Sequence, residues 1–221
     1  MNAIRKTPAA LALGCALLLA AGCGALPDKP ARATLYDFGP GPAMAAAAPA
    51  AATLPTLSLA EFESNSRLDG TQILYRLGYA DANELRPYGQ SRWSLPPSQL
   101  LRQRLRDTLS ERRMVLGPEE AATISRGRGQ APDTLRISLD EFSHYFESAS
   151  ASVGLVRLRA TLVRSTAAGD RVLGQRLFTV RRPAPSADAP GGVKALISAS
   201  DAAVAEVVQW VDQLQQQQPR Q

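Results

Sequence analysis

The chain has 221 residues, 45% of them hydrophobic and 20% charged, with a formal net charge of +5. That is the composition of a folded globular protein of one or two domains. Two cysteines and one histidine, His144, exclude most zinc sites, which need several Cys or His ligands. Any serine–histidine chemistry would run through His144 alone. The composition therefore points away from catalysis, and no catalytic residue, metal or cofactor is expected.

Arg5 and Lys6 open the chain and residues 9–21 form an apolar run, shorter than the roughly 20 residues that span a bilayer. Ala20, Ala21 and Gly22 follow, then Cys23. A basic start, an apolar middle and a small-residue exit predict a secretory signal peptide. The cysteine directly after the small residues resembles the lipobox of bacterial lipoproteins. Leu19 stands one place further from the cysteine than the usual lipobox leucine, where this chain has Ala20. The resemblance implies a signal peptide over residues 1–22 and acylation of Cys23. Several acyl chains would anchor the protein firmly, since each buried CH₂ contributes about 0.8 kcal/mol and one chain alone is marginal. Gly24 at the second mature position resembles the pattern for outer-membrane sorting, which puts the chain on the periplasmic face of a Gram-negative outer membrane. Residues 23–32 hold two prolines and read as a membrane tether.

Apart from Lys6, Lys29 and Lys194 the basic residues are all arginine. Arg102, Arg104, Arg106, Arg112 and Arg113 are the densest group, on a predicted helix. Such a stripe could meet anionic head groups; a solvated helix face is the expected reading. No nucleic-acid motif accompanies it, and no P-loop is present.

Residues 34–38 alternate like a strand and Gly39-Pro40 ends it. Residues 40–55 are rich in Ala and Pro, which predicts an exposed low-complexity loop. A short strand is expected over residues 56–60. Ile73, Tyr75, Leu77 and Tyr79 share one face of another. Asp81, Ala82 and Asn83 form a turn, and residues 84–88 return as a short strand. After Pro96-Pro97, Ser98 is the predicted N-cap of a helix to about Arg113, with Leu101, Leu105 and Leu109 as its apolar stripe.

A short strand follows and ends at Gly117-Pro118. Arg126-Gly127-Arg128-Gly129 reads as a turn, because a phosphate-cradling loop must follow a strand and open a helix. Leu135, Ile137 and Leu139 alternate, the phase slips at Asp140-Glu141, and Phe142, His144 and Phe146 resume it. A one-residue slip predicts a β-bulge. Residues 153–164 and 172–181 are strands joined by a turn at Ala168-Gly169-Asp170, which suggests an antiparallel meander. Residues 183–192 read as a linker. From Val193 a long helix carries a wide apolar stripe including Leu196, Ala203, Val207, Trp210 and Val211, and residues 215–221 form a polar tail. The expected fold is α/β (α+β), a mostly antiparallel sheet with two main helices packed on one face.

The stretch from Ile73-Leu74-Tyr75-Arg76 through Glu84-Leu85-Arg86-Pro87-Tyr88 to Arg92-Trp93, then Pro96-Pro97 and the leucine-rich helix, resembles the ABC-type transport auxiliary lipoproteins of the paraquat-inducible lipoprotein C type. Gly174-Gln175-Arg176-Leu177-Phe178, the Pro/Ala linker and the final helix to Trp210 match the same family. The resemblance covers residues 33–214. It implies a non-enzymatic accessory of an ABC transport system whose periplasmic subunit carries a mammalian-cell-entry (MCE) domain and which moves phospholipids or other hydrophobic molecules. The expected partners are that MCE-domain protein, the transporter subunits and, through acylated Cys23, the membrane. A homo-oligomer is compatible with the sequence. Tyr75, Arg76, Tyr88, Arg92 and Trp93 are the candidate partner contacts, since Trp, Tyr and Arg are enriched at interface hot spots; the same residues also suit structural packing. His144 is expected to pack rather than to catalyse. The alternative function is a lipoprotein that holds a lipid in a pocket between sheet and helices.

Overall fold

The strand β7 (Asp133–Phe146) organises the sheet. The computed structural model describes residues 32–40, 54–128, 131–166 and 168–217. Along one edge β7 pairs antiparallel with β8 (Ser152–Thr166), which pairs antiparallel with β9 (Gly169–Pro183). Three short strands run parallel to its other edge in succession: β2 (Leu57–Leu59), β3 (Glu63–Ser64) and β4 (Gln72–Leu77). An antiparallel strand, β5 (Ala82–Trp93), lies beside β4, and β1 (Thr34–Tyr36) runs parallel to β5. The short β6 (Val115–Leu116) flanks β2. The sheet is therefore mixed: the long ladders are antiparallel and the parallel contacts short. The parallel pairs join segments far apart in sequence, which local patterns do not reveal.

The phase slip at Asp140 is a β-bulge, with the β7–β8 register shifting between Leu139 and Glu141. It keeps Phe142, His144 and Phe146 on the face that holds Leu135, Ile137 and Leu139, and all six are buried. The hairpin between β8 and β9 turns at Gly169, whose φ of 117° suits glycine because a Cβ is strained there.

Among the described residues there are four α-helices: the single turn α1 (Gly78–Asp81), α2 (Pro97–Ser110), α3 (Pro118–Arg128) and α4 (Ala189–Gln217). The α2 leucines Leu100, Leu101, Leu105 and Leu109 join one core with Val193, Leu196, Ala199, Ala203, Val207 and Val211 of α4. That core covers the face of the sheet bearing Val156, Leu158, Ala160 and Leu162 of β8, while Arg157 and Arg159 on the opposite face stay exposed. Close approach of α4 needs glycine at two places. A Cβ on Gly154 would strike the Ala195 and Leu196 backbone, and one on Gly192 the His144 ring.

Several boundaries differ from the sequence reading. The strand expected over residues 84–88 runs on to Trp93. The first residue of α2 is Pro97, and Ser98 lies buried inside the first turn without capping it; proline suits that position because its missing N–H has no helical partner. The helix ends at Ser110 rather than near Arg113. Arg126-Gly127-Arg128 is not a turn but the end of α3. The last helix starts at Ala189, inside the expected linker, because Asp188 accepts from the Gly191 N–H at 2.8 Å, an N-terminal carboxylate cap.

The arginine group on and after α2 is a solvated face only in part: Arg106 and Arg112 are exposed, and the others are not. Arg104 is buried, donates to Asp201 at 2.7 Å and to the Phe38 carbonyl. Arg102 pairs with Glu61 and Arg112 with Asp212. Arg113 is buried and pairs with Asp212. Arg113 also donates to Gln215 Oε1 at 2.6 Å, and Gln215 Nε2 donates to Asp133 Oδ2 at 3.2 Å. Asp133, 1% exposed, takes both donors of the Arg164 fork at 2.9 and 3.0 Å. This chain of buried polar groups ties the end of α2, the start of β7, the end of β8 and the last turns of α4. Gln215 is thus a packed part of the helix and not of a frayed tail. Cys23 and most of the 40–55 loop lie outside the described residues.

Candidate docking surface

Parallel pairing of β4 with β7 sets Tyr75 beside His144 and Leu77 beside Phe146. The next strand, β5, supplies Tyr88, whose hydroxyl lies 2.8 Å from His144 Nδ1. Ser152 Oγ lies 2.7 Å from the other ring nitrogen, Nε2. A neutral imidazole has one donor and one acceptor nitrogen, and each hydroxyl can take either role, so both bonds form in either tautomer. The ring is fully buried, and that burial pushes its pKa down to about 4, with the Asp188 charge opposing the shift. Burial likewise raises the pKa of the Tyr88 phenol.

The aromatic rings stack outward from this anchor. Tyr75 and Tyr88 have centroids 4.7 Å apart, and His144 and Phe146 4.4 Å apart. Gly192 of α4 lies directly against the His144 ring. Asp188, held below the usual carboxylate range by the Ser186 hydroxyl and the Gly191 N–H, fixes the start of that helix. Tyr75 and Tyr88 are half-buried and form the outer rim of the cluster. Arg86, opposite Tyr75 in the β4–β5 register, pairs with exposed Glu84 at that rim.

The five candidate contacts do not make one surface. Tyr75 and Tyr88 belong together on the helix side of the sheet. Arg76 lies on the other face, where it clamps Glu141 with two bonds of 3.1 Å and donates to the Ala82 and Asn83 carbonyls. Arg92 alternates with buried Ser91 and Trp93, so it also faces away from the core. It is tied to the Tyr88 and Ser91 carbonyls. Trp93, 1% exposed, is a core residue set edge-on against Phe38 and Phe142 at 5.7 Å each, and cannot touch a partner. Sequence reasoning missed Ser152 and Asp188. A carboxylate ahead of Ala189-Pro190 is a helix-start signal that could have found Asp188; Ser152 carries no local signal.

A separate cleft of ≈ 400 Å³ lies between α2 and the segment after β1, with Phe38, Leu95 and Leu100 among its apolar lining. Among the described residues no three His, Cys, Asp or Glu side chains converge to hold a metal. No described helix is long and apolar enough to cross a membrane.

Comparison with known proteins places this architecture. The family model of the ABC-type transport auxiliary lipoprotein component matches residues 36–208. The crystal structure of protein XCC0632 from Xanthomonas campestris, assigned to the DUF330 family model, superposes with a TM-score of 0.62 at 22% identity. It covers 74% of this chain and 86% of its own. The crystal structure of an uncharacterized protein superposes with a TM-score of 0.56 at 13% identity, over 82% of this chain and 99% of its own. At these identities the likeness is one of fold. No curated protein matches the chain.

Proposed function

The chain belongs to the ABC-type transport auxiliary lipoprotein family, and on that premise we propose that it is a non-enzymatic accessory that docks to the subunits of an MCE-type ABC transport system for phospholipids or other hydrophobic molecules. In this reading acylated Cys23 holds it on the periplasmic face of the outer membrane. The Tyr75–Tyr88 rim, with Arg86 at its edge, is the contact surface; Arg76 and Arg92 would serve a partner only on the opposite face.

The observation that carries the docking reading is the filled space between helices and sheet. Val193, Leu196, Ala199 and Ala203 of α4 are each at most 3% exposed, and the helix backbone comes close enough to need Gly154 and Gly192. That arrangement favours a rigid docking module over a carrier with an internal lipid pocket. The Ser152–His144 pair favours a structural role: both residues are buried, and the second ring nitrogen meets a phenol instead of the carboxylate of a catalytic triad.

Detergent sensitivity of cells tests the reading. Loss of the protein should sensitise the envelope, and Cys23→Ser, which removes the anchor, should fail to restore resistance. Full resistance with Cys23→Ser would reject the anchored role. Native mass spectrometry separates the alternative, since a carrier would retain co-purified lipid and a docking module would not.

A further inference from the structure

The outer edge of β9 from Gly174 to Arg182 is the feature that the docking surface does not use. The other edge strands of the sheet, β1 and β6, have three and two residues, and shortness is one way natural sheets blunt an edge. By contrast β9 has 15 residues, and among the described residues it pairs only with β8 and has no strand on its other side. Its one bulge lies near the hairpin, between the pairs at Leu162 and Val163, and its one proline, Pro183, is the last residue. From Gly174 to Arg182 the ladder to β8 is unbroken, so the opposite row of backbone donors and acceptors is continuous.

The edge is also chemically biased. Exposed Arg176 and Arg182 lie along this stretch, with Arg181, which pairs at 3.3 Å with Glu147 just after β7, between them and no acidic residue from Gly174 to Arg182. On the outer face exposed Arg157 and Arg159 of β8 stand beside Thr179 and Leu177. Leu177 and Val172 are 52% and 60% exposed and offer apolar contact to an incoming strand. On the inner face, Arg176 and the α4 residues Glu206, Gln209, Trp210 and Gln213 border a cleft of ≈ 260 Å³, where a side chain of an added strand would fit.

We propose that the β9 edge accepts an extended acidic segment of a partner protein as an additional antiparallel or parallel strand. The backbone ladder would supply the affinity, and the arginines on both faces the selectivity. A second copy of this chain is a poor occupant, because two β9 edges would set arginine rows against each other. The inference goes beyond the docking reading, since it concerns another face of the molecule and holds whichever protein supplies the strand.

The test uses the purified full chain and fluorescein-labelled peptides of about ten residues, a strand's length. One alternates valine and glutamate, a second alternates valine and lysine, and a third is the glutamate peptide N-methylated on alternate residues so that it cannot form a ladder. Anisotropy at low salt reads binding, and residue-resolved amide exchange reads where it occurs. Only the first peptide should bind, slowing exchange within residues 174–182 by about tenfold or more. The double variant Arg176→Glu/Arg181→Glu, with an unchanged circular dichroism spectrum, should lose that binding.

Absence of binding, or equal binding of the lysine or N-methylated peptide, overturns the proposal. So does protection located elsewhere. Concentration-dependent protection of β9 without peptide would assign the edge to self-association. Protection by phosphatidylglycerol vesicles but not by the peptide would assign it to a membrane surface.

Discussion

Arg113, at the end of the α2 region, donates to the Oε1 of Gln215 at 2.6 Å in the last turns of α4. Gln215 passes the contact on to Asp133, which Arg164 clamps from β8. A buried charge that loses its partner keeps the desolvation cost without the compensating attraction. Asp133→Ala should therefore destabilise the fold by about 3 kcal/mol, read as a lower urea midpoint at unchanged slope. Gln215→Ala removes hydrogen bonds to the Arg113 guanidinium and the Asp133 carboxylate and should cost about 1.5–3 kcal/mol. Equal midpoints for wild type and Asp133→Ala would show that the network is not stabilising.

Glycine at position 154 lets the α4 backbone touch β8. Gly154→Ala would drive a methyl group into the Ala195 and Leu196 backbone, and neither can move without shifting the helix. Overpacking of this kind costs about 1–3 kcal/mol or more. The same change at Gly89, where no atom lies within 4 Å of a built Cβ, is the control and should leave the melting temperature nearly unchanged. Thermal unfolding followed by circular dichroism distinguishes the two.

His144 makes stability depend on pH. Burial holds its pKa down to about 4, against about 6.5 in an unfolded chain. Between those values the unfolded chain binds a proton that the native ring refuses. This contribution is therefore complete above about pH 6.5 and is lost progressively as pH falls toward 4. Tyr88, Ser152 and Asp188 are the polar groups facing the ring. Between pH 6.5 and pH 5, above most carboxylate titrations, the wild type should lose roughly 2 kcal/mol. His144→Gln, which retains a hydrogen-bonding side chain, should lose much less over the same interval. Parallel pH profiles by urea denaturation would count against a buried neutral imidazole. His144→Ala is a poorer probe, because it orphans the Tyr88 and Ser152 hydroxyls.

The fold was legible where local periodicity carried it. The bulge at Asp140 shows in sequence because a period of two slips by one residue between Leu139 and Phe142. The β8–β9 hairpin shows because Gly169 separates two alternating runs. The start of α2 was misplaced, since a serine is the commoner cap and Pro97 takes the first position here. Residues 118–128 were not recognised as a helix, since glycine at 127 weakens helix formation and no strong apolar stripe marks it. The parallel pairing of β4 with β7 was hidden, because it depends on segments far apart in the chain. The same distance hid the site: nothing near His144 announces that Tyr88 and Gly192 converge on it. Reading Arg104 and Arg113 as surface charges failed because their partners, Asp201 and Asp212, lie on a helix nearly 100 residues away.

Co-purification tests the docking claim most directly. The tagged chain is solubilised from envelopes in mild detergent, and the recovered MCE-domain subunit is quantified for the wild type and for Arg86→Glu. Arg86 borders the Tyr75–Tyr88 rim, where among the described residues it pairs with exposed Glu84 and hydrogen-bonds half-buried Tyr75, so the change acts at the rim and not in the core. The docking claim predicts recovery of the subunit with the wild type and a loss of about tenfold with the variant, at equal protein level and equal membrane association. Failure of the wild type to recover the subunit, together with lipid bound to the isolated chain, would contradict it and favour a lipid carrier.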